Sequence, residues 1–258
     1  MRPPAVAGTF YPSEGEELLR TIDGFLKNAK HHEIHSKLRA LIVPHAGYQY
    51  SGIVAAAGYR LLRERRDEYD DIILIGPSHY MTFYGAASVV SDIWETPLGQ
   101  VMMQPMAGKQ IVPLREPHES EHSLEVQVPF LQVCAPNAKI YPLLMGGSIT
   151  PEEMANDLHN RLNDRTLIIA SSDLSHYHPY AEAMKIDSAA NEAIPALDVS
   201  RVGREVEACG KAGILSVMHL ANHYRWHGKL LDYRNSGDTG GDKSSVVGYG
   251  CYGFFMGK

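Results

Sequence analysis

Four short apolar runs punctuate the chain: Leu38–Val43, Asp71–Ile75, Ala138–Leu144 and Leu167–Ala170. Runs of this length, rich in branched aliphatics, suit strands covered on both faces, as in a parallel or mixed α/β sheet. The segments between them carry helical spacing instead. Residues 52–64 place Val54, Ala57 and Leu61 on one face and end in the charged stretch RERR, the solvated end of a helix. Residues 151–163 open with Pro151 and two glutamates, a composition that favours a helix start. Segments 177–195 and 212–224 also read as helices. SDIWETPLGQVMMQ reads as a β-hairpin turning at TPLG, and SSVVGYGCYGFF as a last strand after the loop NSGDTGGD. Strands alternating with helices, with no internal repeat and no flexible linker, predict one α/β domain over residues 1–258: an α/β/α sandwich around a central mixed sheet.

Three of the apolar runs empty directly into chemistry. LIVPHAGYQYSG ends one at His45, IILIGPSHY ends another at His79, and TLIIASSDLSHYH runs into Ser171, Ser172, Asp173 and His176. Ligands of open α/β sheets bind beyond the carboxyl ends of the strands. If the three strands are neighbours, their imidazoles converge on one crevice. Two neutral imidazoles and one anionic ligand make a common open site for a transition metal. A lone histidine at a strand end more often just caps the strand or bonds a loop, so the weight lies on the threefold recurrence.

Composition narrows the classes. A formal charge of −6 over 258 residues disfavours a nonspecific nucleic-acid binder, whose footprint is basic. No apolar stretch approaches the roughly 20 residues needed to span a bilayer, and MRPPAVAGTFYP lacks the continuous apolar region of a signal peptide. Three cysteines, Cys134, Cys209 and Cys251, form no CxxC pair and fit a reducing cytoplasm. The chain is therefore expected to be cytoplasmic, with no membrane and no nucleic-acid partner.

Other candidate residues have blander readings. HHEIH at 31–35 reads as an exposed loop. His219 and His223 are spaced i, i+4 on a helix but lack the glutamate of HExxH, so surface or core histidines are the better reading. His118 and His122 repeat that spacing, and Glu121 and His122 open an amphipathic segment. GDTGGDKSS resembles a phosphate loop, yet Asp242 stands where a glycine belongs. Ser172, Asp173 and His176 are too local for a hydrolase triad, and no GxSxG elbow is present.

Several motifs in order carry a resemblance: AGTFYP, PHAGYQYSG, GPSHY, TPLG, EHSLEVQVPFLQ, SSDLSHY, ACGKAGI and VVGY. Together they make the chain resemble the MEMO family, whose fold is similar to the class III extradiol dioxygenases. It also resembles the prokaryotic branch found in a three-part system with a radical-SAM protein and an AMMECR-type protein, which implies those two as partners. The resemblance implies one transition metal (iron, copper or zinc) held by His45, His79 and Cys209, with His176 as the acid–base residue. Spacing alone does not single out Cys209 among the three cysteines. The dioxygenases use a carboxylate where this pattern offers a thiolate, a softer and more electron-rich ligand. On this reading Asp173 orients the His176 ring, His122 is a second proton-transfer group with Glu121 as its partner, and Tyr48 and Glu121 contact a small-molecule substrate, with Tyr48 and Tyr50 lining the mouth. The implied activity is a metal-dependent oxidoreductase. Two other readings stand beside it: a non-catalytic interaction or signalling protein on the same scaffold, and a metal-handling redox protein.

Overall fold

The computed structural model describes residues 1–147 and 149–257. The strands are β1 (Leu38–Val43), β2 (Asp71–Pro77), β3 (Ala86–Ser88), β4 (Asp92–Thr96), β5 (Gly99–Met103), β6 (Ile111–Pro113), β7 (Lys139–Met145), β8 (Thr166–Ser171), β9 (His176–His178), β10 (His227–Asn235) and β11 (Val246–Phe255). The helices are α1 (Gly15–Asn28), α2 (Tyr48–Glu64), α3 (Glu116–Glu119), α4 (Val128–Cys134), α5 (Pro151–His159), α6 (Tyr180–Ala193), α7 (Val199–Glu205) and α8 (Lys211–His223).

The main sheet runs β10-β11-β1-β8-β2-β7-β3-β6. Its centre, β1-β8-β2-β7, is parallel, whereas β11 is antiparallel to β1, and β3 to β7. All six residues of β1 and of β8 are buried, the signature of strands covered on both sides. Side chains alternate between two cores. Leu41, Val43, Leu74 and Ile169 pack with α1, α2 and α4, while Ala40, Ile42, Ile75 and Ile168 pack with α5 to α8. The expected layered mixed-sheet architecture is thus present.

Element boundaries moved where tertiary contacts outweigh local pattern. The helix expected from residue 52 begins at Tyr48, and the one expected to reach 163 ends at His159. The helix expected from 177 starts at Tyr180, because residues 176–178 pair with β11 instead. Helix α1, whose Leu18, Ile22 and Leu26 bury one stripe, and strand β10 lie outside the elements read from the sequence. No helix among the described residues is long and apolar enough to cross a membrane.

Segment 114–127, which includes α3, returns over the carboxyl end of the sheet and is held by buried polar groups. Arg2 is the clamp. Its Nε donates to the His118 carbonyl at 2.5 Å, one Nη to the Glu121 carbonyl at 2.8 Å, and the other pairs with Glu125 at 2.6 Å. The Glu125 carboxylate also accepts from the Ala5 and Val6 amides and the Tyr11 hydroxyl, so hydrogen bonds support the buried carboxylate as well as the ion pair itself.

His118, 2% exposed, donates Nε2–H to the Ala87 carbonyl, and burial pushes its pKa down to about 4. Between that value and the unfolded 6.5, the unfolded chain binds a proton that the folded chain does not, so stability falls as pH drops. Urea unfolding at pH 7 and pH 5 is expected to show His118 contributing a loss of about 2 kcal/mol, absent from the difference measured for His118→Gln. Equal pH slopes for the two proteins would rule this out.

Candidate metal centre

Because β1, β8 and β2 are adjacent and parallel, with Val43 opposite Ser171 and Ala170 opposite Ile75, their carboxyl ends share one edge. His45 follows β1, His79 follows β2, and Ser171 to Asp173 leave β8 at that edge. Cys209 arrives from the other side, in the loop that opens α8. Gly210 is required there: a Cβ at this position would lie 2.6 Å from the Ser171 carbonyl oxygen and 2.7 Å from Ser172 Cβ. Only a residue without a side chain lets the loop carry the thiol this close to the strand.

The donor atoms of His45, His79 and Cys209 all lie within 4.8 Å of one another. His45 Nε2 is 3.4 Å from Cys209 Sγ, and the His45 and His79 rings meet edge-on with centroids 5.3 Å apart. Nitrogen and sulfur ligands of one tetrahedral ion, at about 2.0 and 2.3 Å from it, sit about 3.5 Å apart. The separation of His45 Nε2 and Cys209 Sγ is therefore that of two ligands sharing one ion. The chemistry of the cluster agrees. Burial, then the neighbouring His122 and His79, hold His45 well below the usual imidazole range, so it is neutral with a free lone pair. Burial and then Asp173 push the Cys209 thiol up to about 12, a cost that a bound cation reverses by stabilising the thiolate.

Hydrogen bonds aim these groups. The Asp173 amide donates to Cys209 Sγ at 3.2 Å, and the Asp173 carboxylate accepts from the His45 amide at 2.8 Å. Ser171 Oγ lies 3.0 Å from His45 Nδ1. Glu121, 2% exposed, accepts from the His79 amide at 2.5 Å, from His79 Nδ1 at 2.9 Å, and from the His122 and Ser123 amides. Burial alone would raise this carboxyl, but the bonds from His79 and Ser123 outweigh it and bring it down to about 2. An ionised Glu121 accepts Nδ1–H of His79 and leaves Nε2 as the free donor.

His122 stacks on His79 at 4.8 Å, with 18° between the rings, and the Phe10 ring packs against it, tilted, also at 4.8 Å. Its Nδ1 lies 3.3 Å from Glu121 and 3.4 Å from the exposed Tyr80 hydroxyl. His79, Glu121 and His122 also bring three donors within 4.8 Å. Since the Glu121 oxygens already serve several N–H groups, that trio is a hydrogen-bonded support and not a second ligand set.

Three sequence-based roles need correction. Tyr48 does not line the mouth: it is 3% exposed, packs with Tyr11, Phe25 and Phe130, and donates its hydroxyl to the Val126 carbonyl. Tyr50 is half-buried. Glu121 does not face a substrate, because burial and its own hydrogen bonds consume it. Asp173 does not orient the His176 ring; it serves the His45 backbone, because the chain turns after β8 and carries His176 into β9. There the His176 amide donates to Glu207 at 2.9 Å, two residues before Cys209 in sequence. His176 remains near enough to act electrostatically on both His45 and Asp173. Of the remaining histidines, His32 bonds the Leu231 carbonyl, while His219 and His223 line a surface cleft with His159 and Glu152. Sequence reasoning missed the supporting roles of Arg2, Phe10, Gln127 and Ser171, and no local periodicity marks them.

Comparison with known proteins supports the family resemblance carried by the motifs. The family model described as "Memo-like protein" matches residues 2–252. A MEMO1 family protein of Nitrosopumilus maritimus is 35% identical over 277 residues, covering 98% of this chain and 99% of its own length. Another, from Archaeoglobus fulgidus, is 36% identical over 265 residues, covering 96% and 97%. Among solved structures, an uncharacterized protein from Escherichia coli K12 superposes with a TM-score of 0.48 at 12% identity, covering 86% of this chain and all of its own, a likeness too distant to argue from. With whole-length relatives above 30% identity and a family match over residues 2–252, the chain belongs to the Memo-like family.

Proposed function

We propose that this protein binds one transition-metal ion through His45, His79 and Cys209 and uses it in an oxidoreductase reaction on a small oxygen-bearing substrate. The observation that supports this reading is the meeting of three donors from positions 45, 79 and 209 within 4.8 Å of one another. Copper, iron and zinc all accept this donor set, and the thiolate weights it toward the softer ions. When bound, the metal supplies an open coordination position for substrate or dioxygen. The chain's own residues do the rest. Asp173 anchors the His45 backbone, and Glu121 fixes the His79 ring. His122, packed against Phe10 and Tyr80, and His176 serve as the proton-transfer groups of the reaction.

Titration with cobalt(II) under anaerobic conditions is expected to give one equivalent per chain and a thiolate-to-cobalt charge-transfer band. A protein that takes up no metal ends the proposal. Iron(II)-loaded protein is then expected to consume oxygen with a responsive catechol from a panel, and His176→Ala to retain the metal while losing that turnover. Oxygen-dependent cycling without organic substrate, insensitive to His176→Ala, would instead support the metal-handling reading.

A further inference from the structure

Two backbone carbonyls determine which nitrogen of His45 carries the proton. Gln127 is the first step. Its side-chain nitrogen lies 2.9 Å from the Pro44 carbonyl, which can only accept, so the amide NH2 faces that way; its oxygen takes the Tyr59 hydroxyl at 2.9 Å. The same NH2 lies 2.8 Å from Ser171 Oγ, which must therefore accept from it. Ser171 Oγ is also 2.6 Å from the Ser123 carbonyl, another pure acceptor, so the single hydroxyl proton is spent there. Toward His45 Nδ1, at 3.0 Å, Ser171 has only a lone pair left to offer. Nδ1 must be the protonated nitrogen, and Nε2, 3.4 Å from Cys209, the bare one.

We propose that Ser171 is a positioning residue that holds His45 in its Nδ1–H tautomer and so keeps the Nε2 lone pair directed at the metal centre. The hydroxyl is itself held by the Ser123 carbonyl and the Gln127 amide. All of these groups are buried, with Ser171 at 1%, Ser123 and Gln127 at 0% and His45 at 2% exposure, so water does not compete for the bonds. The arrangement makes the two imidazoles unequal: a neutral hydroxyl backs His45, whereas a carboxylate backs His79. The tautomer assignment is independent of metal binding; its consequence for affinity rests on the ligand set proposed above.

Long-range nitrogen–proton NMR on metal-free full-length protein reads the tautomer directly. The wild type is expected to show a protonated Nδ1 and a pyridine-like Nε2 at His45. Ser171→Ala, which leaves Nδ1–H without an acceptor, should shift His45 toward the Nε2–H form and weaken cobalt(II) or zinc affinity by about ten- to a hundredfold. Ser171→Thr, which restores the hydroxyl, should recover both. A wild-type His45 protonated at Nε2 overturns the inference without any variant. So does a folded Ser171→Ala protein with unchanged tautomer and affinity. A protein that binds no metal yet shows Nδ1–H at His45 would refute the ligand set while leaving the tautomer clamp standing.

Discussion

Cys209→Ser is expected to lower affinity for zinc or copper(I) by roughly a hundred- to a thousandfold while barely changing the stability of the metal-free fold. The magnitude follows from the energetics of such sites. Structural zinc binding by four ligands is worth about 10–16 kcal/mol, so each ligand carries roughly 2.5–4 kcal/mol. Serine keeps an acceptor for the Asp173 amide, which bonds Cys209 Sγ at 3.2 Å, so no buried donor is orphaned. The other two cysteines provide the control. Cys134 and Cys251 are fully buried in α4 and β11, where burial pushes both thiols up, and they behave as small hydrophobes. Replacing either by alanine should cost about 1–2 kcal/mol of stability through lost packing and leave metal affinity unchanged. Competition titrations against a chromophoric chelator distinguish the three cases. Wild-type affinity in Cys209→Ser would remove sulfur from the ligand set.

That specificity was only half legible in the sequence. The ends of β1, β2 and β8 could be read because continuous apolar runs stop abruptly at His45, His79 and Ser171, and strands covered on both faces leave no other place for polar side chains. Their adjacency could not be read, since the order β1-β8-β2 is a property of crossovers and not of any local pattern. Cys209 was reachable only through motif resemblance. As a lone thiol beside a glycine it looks like Cys134 or Cys251 until the fold carries it across β8. Asp173 was misassigned because i, i+3 spacing suggests a shared face, whereas the chain changes direction between Leu174, which bonds the Gly248 carbonyl, and His176, which starts β9. Tyr48 was misplaced for a related reason. Helix α2 begins at that residue, and its first turn packs its ring against Phe130, away from the mouth. The clamp of Ser171, Ser123 and Gln127 joins residues 44 to 48 positions apart, a distance at which periodicity carries no signal.

The direction change after β8 depends on one residue of the last strand. Gly248 donates to the Ser175 carbonyl and accepts from the Leu174 amide, both at 2.8 Å, tying the segment before His176 to β11. Against its Cα sits the buried carboxylate of Asp187 from α6, which accepts from the Ser175 amide at 3.1 Å and the Tyr233 hydroxyl at 2.7 Å. A Cβ on residue 248 would lie 1.9 Å from Asp187 Oδ2 and 2.7 Å from its Cγ. Gly248→Ala must therefore expel the carboxylate or bend the strand. Overpacking of this kind costs about 1–3 kcal/mol, and the buried donors left behind cost about 1–3 more, so a loss of about 4 kcal/mol is expected in urea unfolding. Removing the obstacle gives a sharper test. In Gly248→Ala/Asp187→Ala the methyl meets no carboxylate, so the double variant should be about 2 kcal/mol more stable than the sum of the single losses predicts. Strict additivity would show that the two residues do not share this space. His45, His79 and Cys209 are carried by other segments of the chain, so the folded fraction of Gly248→Ala should still take up one metal equivalent. What it should lose is the placement of His176, and with it any turnover that depends on proton transfer by its ring.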